Sequence, residues 1–276
     1  MQNQTSPLIL SFGALDPVGA TGVQADLAAF SALSCTGLSV ATALLIGDTA
    51  RTEDMQEIDP DWMADQARVV LEDATVAAFK VGALASIEQV AAVAEILSDY
   101  PDAPLILDPF SSRLPATGDD EAEEMATAVR QLLVPQATVL MLSQVELGRM
   151  AETWREDGGS DVAADVTHLL GLGCEFVLVT GTPSGGEAPK LLANTLYGAD
   201  GVVSHDSWSH YPGPFIGAGG TLSAAIAAFM ARGLDVEQAV QSAQAYTVGA
   251  LAHAQRYGMG KLVPDRFYQF TTKMQS

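Results

Sequence analysis

The 276 residues suffice for one large fold or two small ones, and 48% hydrophobic with 17% charged is the balance of a globular chain and excludes a disordered one. Lys and Arg number 13 against 34 Asp and Glu, a formal charge of −21. A field of that sign excludes nucleic acid and anionic membrane as partners. It also repels ATP, so any phosphate site must draw positive potential locally, from backbone N–H groups or a metal ion.

Cys35 and Cys174 both sit in apolar stretches and read as buried thiols in a reducing compartment. The opening "MQNQTSPLIL" lacks a basic n-region, which makes it a poor signal peptide. Apolar runs such as "LSVATALLIG" reach about half of the roughly 20 residues a membrane helix needs. The expectation is a cytoplasmic protein.

In chain order, "LILSFGA" is a short apolar run and reads as a strand. "GVQADLAAFSAL" follows with Val23, Leu27 and Phe30 at helical spacing. "LSVATALLIG" is a second strand, and "DPDWMADQARVVLED" opens a helix with Asp and Pro. "VAAFKVGAL" is a strand, "SIEQVAAVAEILSDY" a helix capped by Ser86, and "PLILDP" a strand stopped by Pro109. "DDEAEEMATAVRQLL" is a helix with its acids in the first turn, where the macrodipole favours them. "ATVLML" and "EFVLVTG" are strands flanking helical sequence. "KLLANTLYG" and "GVVSHDSWSH", joined at Gly198 to Gly201, form a hairpin at a sheet edge. Two helices close the chain. The first has Leu222, Ile226 and Phe229 on one face; the second, from Asp235, turns Val236, Val240, Ala243 and Leu251 inward.

Strand–helix alternation implies an α/β fold, a mostly parallel sheet with helices on both faces and an edge hairpin. No repeat or linker divides it, so residues 1–276 read as one domain. In such sheets ligands bind beyond the carboxyl ends of the strands. A dinucleotide-binding reading fails, because the first loop lacks G-x-G-x-x-G directly after the strand.

"FIGAGGTLSAA", residues 215 to 225, is a glycine-rich turn running into a helix. Gly217, Gly219 and Gly220 could turn several N–H groups toward one point, forming an anion nest. Equally, such a turn lets helix and sheet approach closely. His168, His205, His210 and His253 show no metal spacing, and Trp154, Trp208 and Tyr211 read as packing or interface residues.

Four blocks in order, "GALDPVGATGVQADLAAFSAL", "KVGALA", "LILDP" and "GAGGTLSAA", resemble the hydroxymethylpyrimidine and phosphomethylpyrimidine kinases of thiamin biosynthesis, in the ribokinase-like superfamily. The resemblance runs from about Leu8 to Gly260. It implies a ribokinase-like three-layer fold, ATP and Mg²⁺ as cofactors, a small heteroaromatic substrate and a homodimer. It makes the Gly217, Gly219, Gly220 and Thr221 turn the catalytic anion hole. It places the pyrimidine near Asp26, with Gly47, Ala83 and Phe110 in the substrate pocket. Ser143, Glu146 and Thr180 fall on the nucleotide side, and Asp108 and Glu146 at the metal.

The chain also departs from the pattern. Relatives carry a Cys or Asp before the Thr, which takes the proton from the substrate hydroxyl; here that position is Gly220. Gly47 stands for a Gln or Glu, Ala83 for a Met, Phe110 for a Val, Ser143 for an Asn and Thr180 for a phosphate-binding Lys, with Lys190 a few residues on as a possible substitute. Phe110 either stacks on a flat ring or fills the space. Asp108 either serves the metal or only opens a turn before Pro109. The departures leave three activities open: the family reaction through a degenerate site, a kinase of altered substrate such as pyridoxal, or a weakly active or inactive binder of a phosphorylated heteroaromatic ligand, acting as sensor or partner.

Overall fold

The computed structural model describes residues 6–111, 113–115, 118–155, 161–184, 191–209 and 211–270. Strands β1 (Leu8–Leu15), β2 (Thr36–Gly47), β3 (Thr52–Glu57), β4 (Ala78–Val81), β5 (Leu105–Leu107), β6 (Val139–Ser143), β7 (Phe176–Ser184), β8 (Leu191–Gly198) and β9 (Gly201–Ser209) form one sheet. Its order is β3-β2-β1-β4-β5-β6-β7-β8-β9. The run from β2 to β7 is parallel, and the outer pairs β2–β3, β7–β8 and β8–β9 are antiparallel.

Successive residues of a strand point to opposite faces, and here each face finds its own layer of helices. Leu10, Phe12, Phe79 and Val81 pack against α2 (Pro60–Asp73), α3 (Ile87–Ser98), α4 (Asp119–Leu132), α5 (Gln144–Glu152) and α6 (Val162–Gly171). Ile9, Ala78, Ile106 and Val139 pack against α1 (Gly22–Ala32), α7 (Ala218–Ala231) and α8 (Val236–Ala252). The three-layer α/β fold and the β8–β9 hairpin match the sequence reading. Asp59 and Ser86 cap α2 and α3 by accepting from first-turn amides.

Three elements differ from expectation. β3, "TEDMQE", is polar and exposed or half-buried throughout, so its pairing with β2 leaves no hydrophobic pattern to read. α7 is buried on all sides from Thr221 to Ala228, where the expectation was one apolar face. Its Ala, Gly and Ser residues let it press against β1, β4 and β5 while α1 and α8 cover the rest. In α8, Val240 and Ala243 are buried as expected, while Val236 and Leu251 are only half-buried. Cys35 and Cys174 are buried free thiols.

The start of α7 is fixed by two glycine requirements. Gly217, its N-cap, has φ +85°, and a Cβ there would lie 1.9 Å from the Ala20 carbonyl oxygen. Opposite it, Gly22 opens α1 at φ +65°, with a would-be Cβ 2.0 Å from the Ala14 oxygen. The β1–α1 loop and the α7 N-terminus therefore touch backbone to backbone. Arg266 ties them: Nη2 donates to Ala20 O (2.7 Å), Nη1 to Gly19 O (3.3 Å) and Nε to Thr221 Oγ1 (3.1 Å). Gly217→Ala should lower stability by at least about 2 kcal/mol in urea unfolding, through left-handed strain and the clash. Gly220→Ala, with nothing within 4 Å of its Cβ, should be neutral or stabilising. Equal losses at the two sites would contradict this account.

Candidate active site

At the carboxyl ends of the parallel strands, beside the α7 N-terminus, lies a cavity of about 330 Å³, within the size range of small-molecule sites. Gly217, Gly219 and Gly220 form one wall. The first amides of any helix have no carbonyl behind them. Here the first to find one is Thr221 N, bonded to Gly217 O at 3.0 Å, and no side chain caps the helix. Among the described residues the Ala218, Gly219 and Gly220 amides meet no acceptor, and Gly219 and Gly220 lie on the cavity at the positive end of the helix dipole.

Asp108 follows β5 and also lines the cavity. It accepts from Ser223 Oγ of α7 at 2.8 Å. Withdrawal from water pushes its carboxyl up to about 6; Lys80 and the Ser223 bond pull the other way, and the like charges of Glu146 and Asp26 add to the rise. Glu146 lines the cavity from α5. Its Oε2 accepts from Ser143 N at 2.7 Å, while Ser143 Oγ accepts from Glu146 N at 3.3 Å, a capping box that fixes the carboxylate at the end of β6. Thr180 pairs with Ser143 across β6–β7 and adds no charge. No cluster of three or more His, Cys, Asp or Glu suited to a metal occurs among the described residues. Two carboxylates on one cavity still fit Mg²⁺, which keeps most of its waters and takes the rest of its ligands from phosphates.

Two cations line the cavity that the sequence reading did not single out. Lys80, on β4, is 4% exposed and pairs with Asp26 at 3.1 Å. Burial alone would lower its pKa, but Asp26 and Asp108 outweigh that and raise it, so the ammonium stays charged. Ser11 and Lys80 are register partners on β1 and β4, so they share a face, and Asp26 of α1 meets both there. Arg113, 3% exposed, donates from Nη2 to Asp16 Oδ1 at 3.2 Å. Pairing across strands would have revealed Lys80. Arg113, in a loop, left no such signal.

The structure brings Gly217, Gly219, Gly220, Ala83, Phe110, Ser143, Glu146, Thr180 and Asp108 to one cavity. Three expected residues stand outside its lining. Lys80 and Ser11 Oγ, at 3.1 and 2.7 Å, both engage Asp26 Oδ2, which holds Lys80 in place, while Oδ1 is buried with no partner among the described residues. Gly47 faces its own turn: a Cβ there would meet Arg51 O at 2.6 Å. Thr221 spends its hydroxyl inside the protein, donating to Gly217 O at 2.7 Å and accepting from Arg266. Lys190 and His210 lie outside the described residues. Trp154 stacks on His168, and His205 meets Thr195, as packing roles require.

With this geometry in hand, the sequence model of the family described as phosphomethylpyrimidine kinase matches residues 16–265. The chain belongs to that family. The family's hydroxymethylpyrimidine/phosphomethylpyrimidine kinase of Escherichia coli is 31% identical over 258 residues, covering 91% of this chain and 93% of that one. A putative pyridoxine kinase of Treponema pallidum is 29% identical, covering 94% of this chain and 99% of its own. Among solved structures, pyridoxal kinase from Staphylococcus aureus, in complex with AMP-PCP and pyridoxal, superposes with a TM-score of 0.82 at 21% identity, over 96% of this chain and 94% of that one. At that identity the likeness establishes the ribokinase-like fold alone. No helix among the described residues is long and apolar enough to cross a membrane.

The Asp108 environment has a measurable sign. Folded Asp108 keeps its proton up to about pH 6, against 3.8 unperturbed. That contribution to stability is complete below the lower value and is lost as pH rises through about 6. Asp108→Asn, free of the charge, should therefore gain on the wild type by on the order of 1–3 kcal/mol between about pH 4 and pH 7 in ligand-free urea unfolding. A pH-independent difference would contradict this environment.

Proposed function

We propose that this chain is an ATP- and Mg²⁺-dependent kinase of the thiamin pyrimidine branch that transfers the γ-phosphoryl group to hydroxymethylpyrimidine monophosphate and only poorly to the free alcohol. The observation that carries the reading is the α7 N-terminus, where the Ala218 to Gly220 amides meet no acceptor among the described residues and Gly219 and Gly220 line a cavity with two carboxylates. Those amides suit the three equatorial oxygens of a transferring phosphoryl group, where catalysis rests on positioning and charge. Asp108 and Glu146 would hold Mg²⁺, which supplies charge neutralisation between the phosphates. Lys80 adds positive potential where Thr180 does not.

The acceptor preference follows from Gly220. Relatives place a proton acceptor here by the resemblance, and loss of a general base costs roughly 10²- to 10⁴-fold. A hydroxyl acceptor must lose its proton during the transfer. A phosphate monoester has a second pKa of about 6 and attacks as a dianion already without one. Its oxygen forms the new P–O bond as the β–γ bond breaks and ADP leaves. A second reading, a binder with little or no turnover, is favoured by the same Gly220. On either reading the acceptor, the nucleotide and a homodimeric state are expectations drawn from the family resemblance.

ADP release should be faster with hydroxymethylpyrimidine monophosphate than with hydroxymethylpyrimidine or pyridoxal. Space around a Gly220 Cβ is open, so Gly220→Cys fits without backbone movement. Combined with Thr180→Lys, it should raise turnover of the free alcohol by about 10²-fold or more. Equal wild-type turnover of alcohol and monophosphate would refute the preference. No ADP release from wild type or double variant, with ligand binding retained, would select the binder.

A further inference from the structure

Arg113 carries more hydrogen-bonding capacity than the protein uses. A guanidinium has five N–H donors. Asp16 engages Nη2, whereas Nε and Nη1 are buried with no partner among the described residues. A buried charged donor left unsatisfied is costly, and such groups are retained where something completes them. Arg113 is 3% exposed and lines the same cavity as the glycine turn.

Its position is built. Asp16 is fully buried, and its carboxylate also accepts from Val18 N (3.1 Å), Thr21 N (3.1 Å) and Thr21 Oγ1 (2.9 Å). The pair therefore locks the Arg113 head to the β1–α1 loop, the loop that supports the α7 N-terminus. Gly47 adjoins the head: a Cβ there would meet Arg51 O first, at 2.6 Å, and Arg113 Nη2 at 3.1 Å.

We infer that Arg113 is a specificity-determining residue that binds an anionic oxygen group carried by the acceptor, a phosphate monoester, through guanidinium donors that Asp16 leaves free. Asp16 acts as its positioning residue. The inference deepens the kinase reading by naming what recognises the acceptor, and it rests on that reading for the choice of probe. The cavity's other phosphate-binding chemistry, the nucleotide, is the competing source of the same anion.

Calorimetric binding without turnover separates these cases. The probes are hydroxymethylpyrimidine monophosphate, hydroxymethylpyrimidine and AMP-PCP with Mg²⁺, each titrated into wild type, Arg113→Met and Arg113→Lys. Wild type should bind the monophosphate more tightly than the alcohol. Arg113→Met should weaken the monophosphate by roughly 30-fold or more, as loss of one partner of a buried charge pair does, and leave the alcohol and AMP-PCP within about two-fold. Arg113→Lys keeps the charge for Asp16 and should recover most of the lost affinity, so a folding defect in the Met variant does not decide the outcome. Selective loss of AMP-PCP, equal loss of alcohol and monophosphate, no loss at all, or wild type failing to prefer the monophosphate would each overturn the inference. Preserved selectivity without ADP release would leave it standing and refute the kinase reading alone.

Discussion

Everything at the site depends on one contact, the packing of the Gly217 backbone against the Ala20 carbonyl. No side chain fits between them, and Arg266, buried with its guanidinium spread over Gly19, Ala20 and Thr221, holds the two segments together. The consequence is positional. α7 starts where β1, β4, β5 and β6 end, so its unbonded amides, the Asp108 loop and the Ser143–Glu146 capping box open onto one cavity. Ser223, one turn into α7, then reaches back to Asp108 and links the two walls.

The second constraint is charge. A chain at −21 should repel a polyanion, yet the cavity is lined by Lys80 and Arg113 and backed by Arg266. Each is desolvated and held by fixed acceptors: Asp26 for Lys80, Asp16 for Arg113, carbonyls for Arg266. The acids that dominate the composition lie largely elsewhere, in first turns such as that of α4. Net charge therefore describes the outer surface and says little about the potential inside the site.

The layered architecture was legible because period-2 and period-3.6 patterns and caps such as Asp59 and Ser86 agree with the tertiary packing. β3 was not, because a strand without an apolar face leaves no periodic trace. The glycine turn and Asp108 were legible as positions at the carboxyl ends of the strands, where the structure sets both on the cavity, while the sequence left open packing and turn roles for each. Asp26 and Gly47 were read from resemblance as substrate residues and Thr221 as part of the catalytic turn. The distinction the fold adds is what else each one meets: Asp26 Oδ2 holds a lysine, Gly47 fits the turn into β3, and the Thr221 hydroxyl closes a helix turn. That distinction depends on which residues approach from distant segments, as Arg266 does across more than two hundred residues to Ala20. Arg113, from a loop without periodicity, was invisible for the same reason.

The central claim is that the amides of Ala218, Gly219 and Gly220 receive phosphoryl oxygens. Amide ¹H–¹⁵N chemical shifts of these residues, followed while AMP-PCP and Mg²⁺ are added, test it most directly. The account predicts downfield proton shifts at Gly219 and Gly220, as free donors gain charged acceptors, with Thr221 N, already bonded to Gly217, little changed. Unmoved Gly219 and Gly220 resonances in a protein saturated with nucleotide would contradict it.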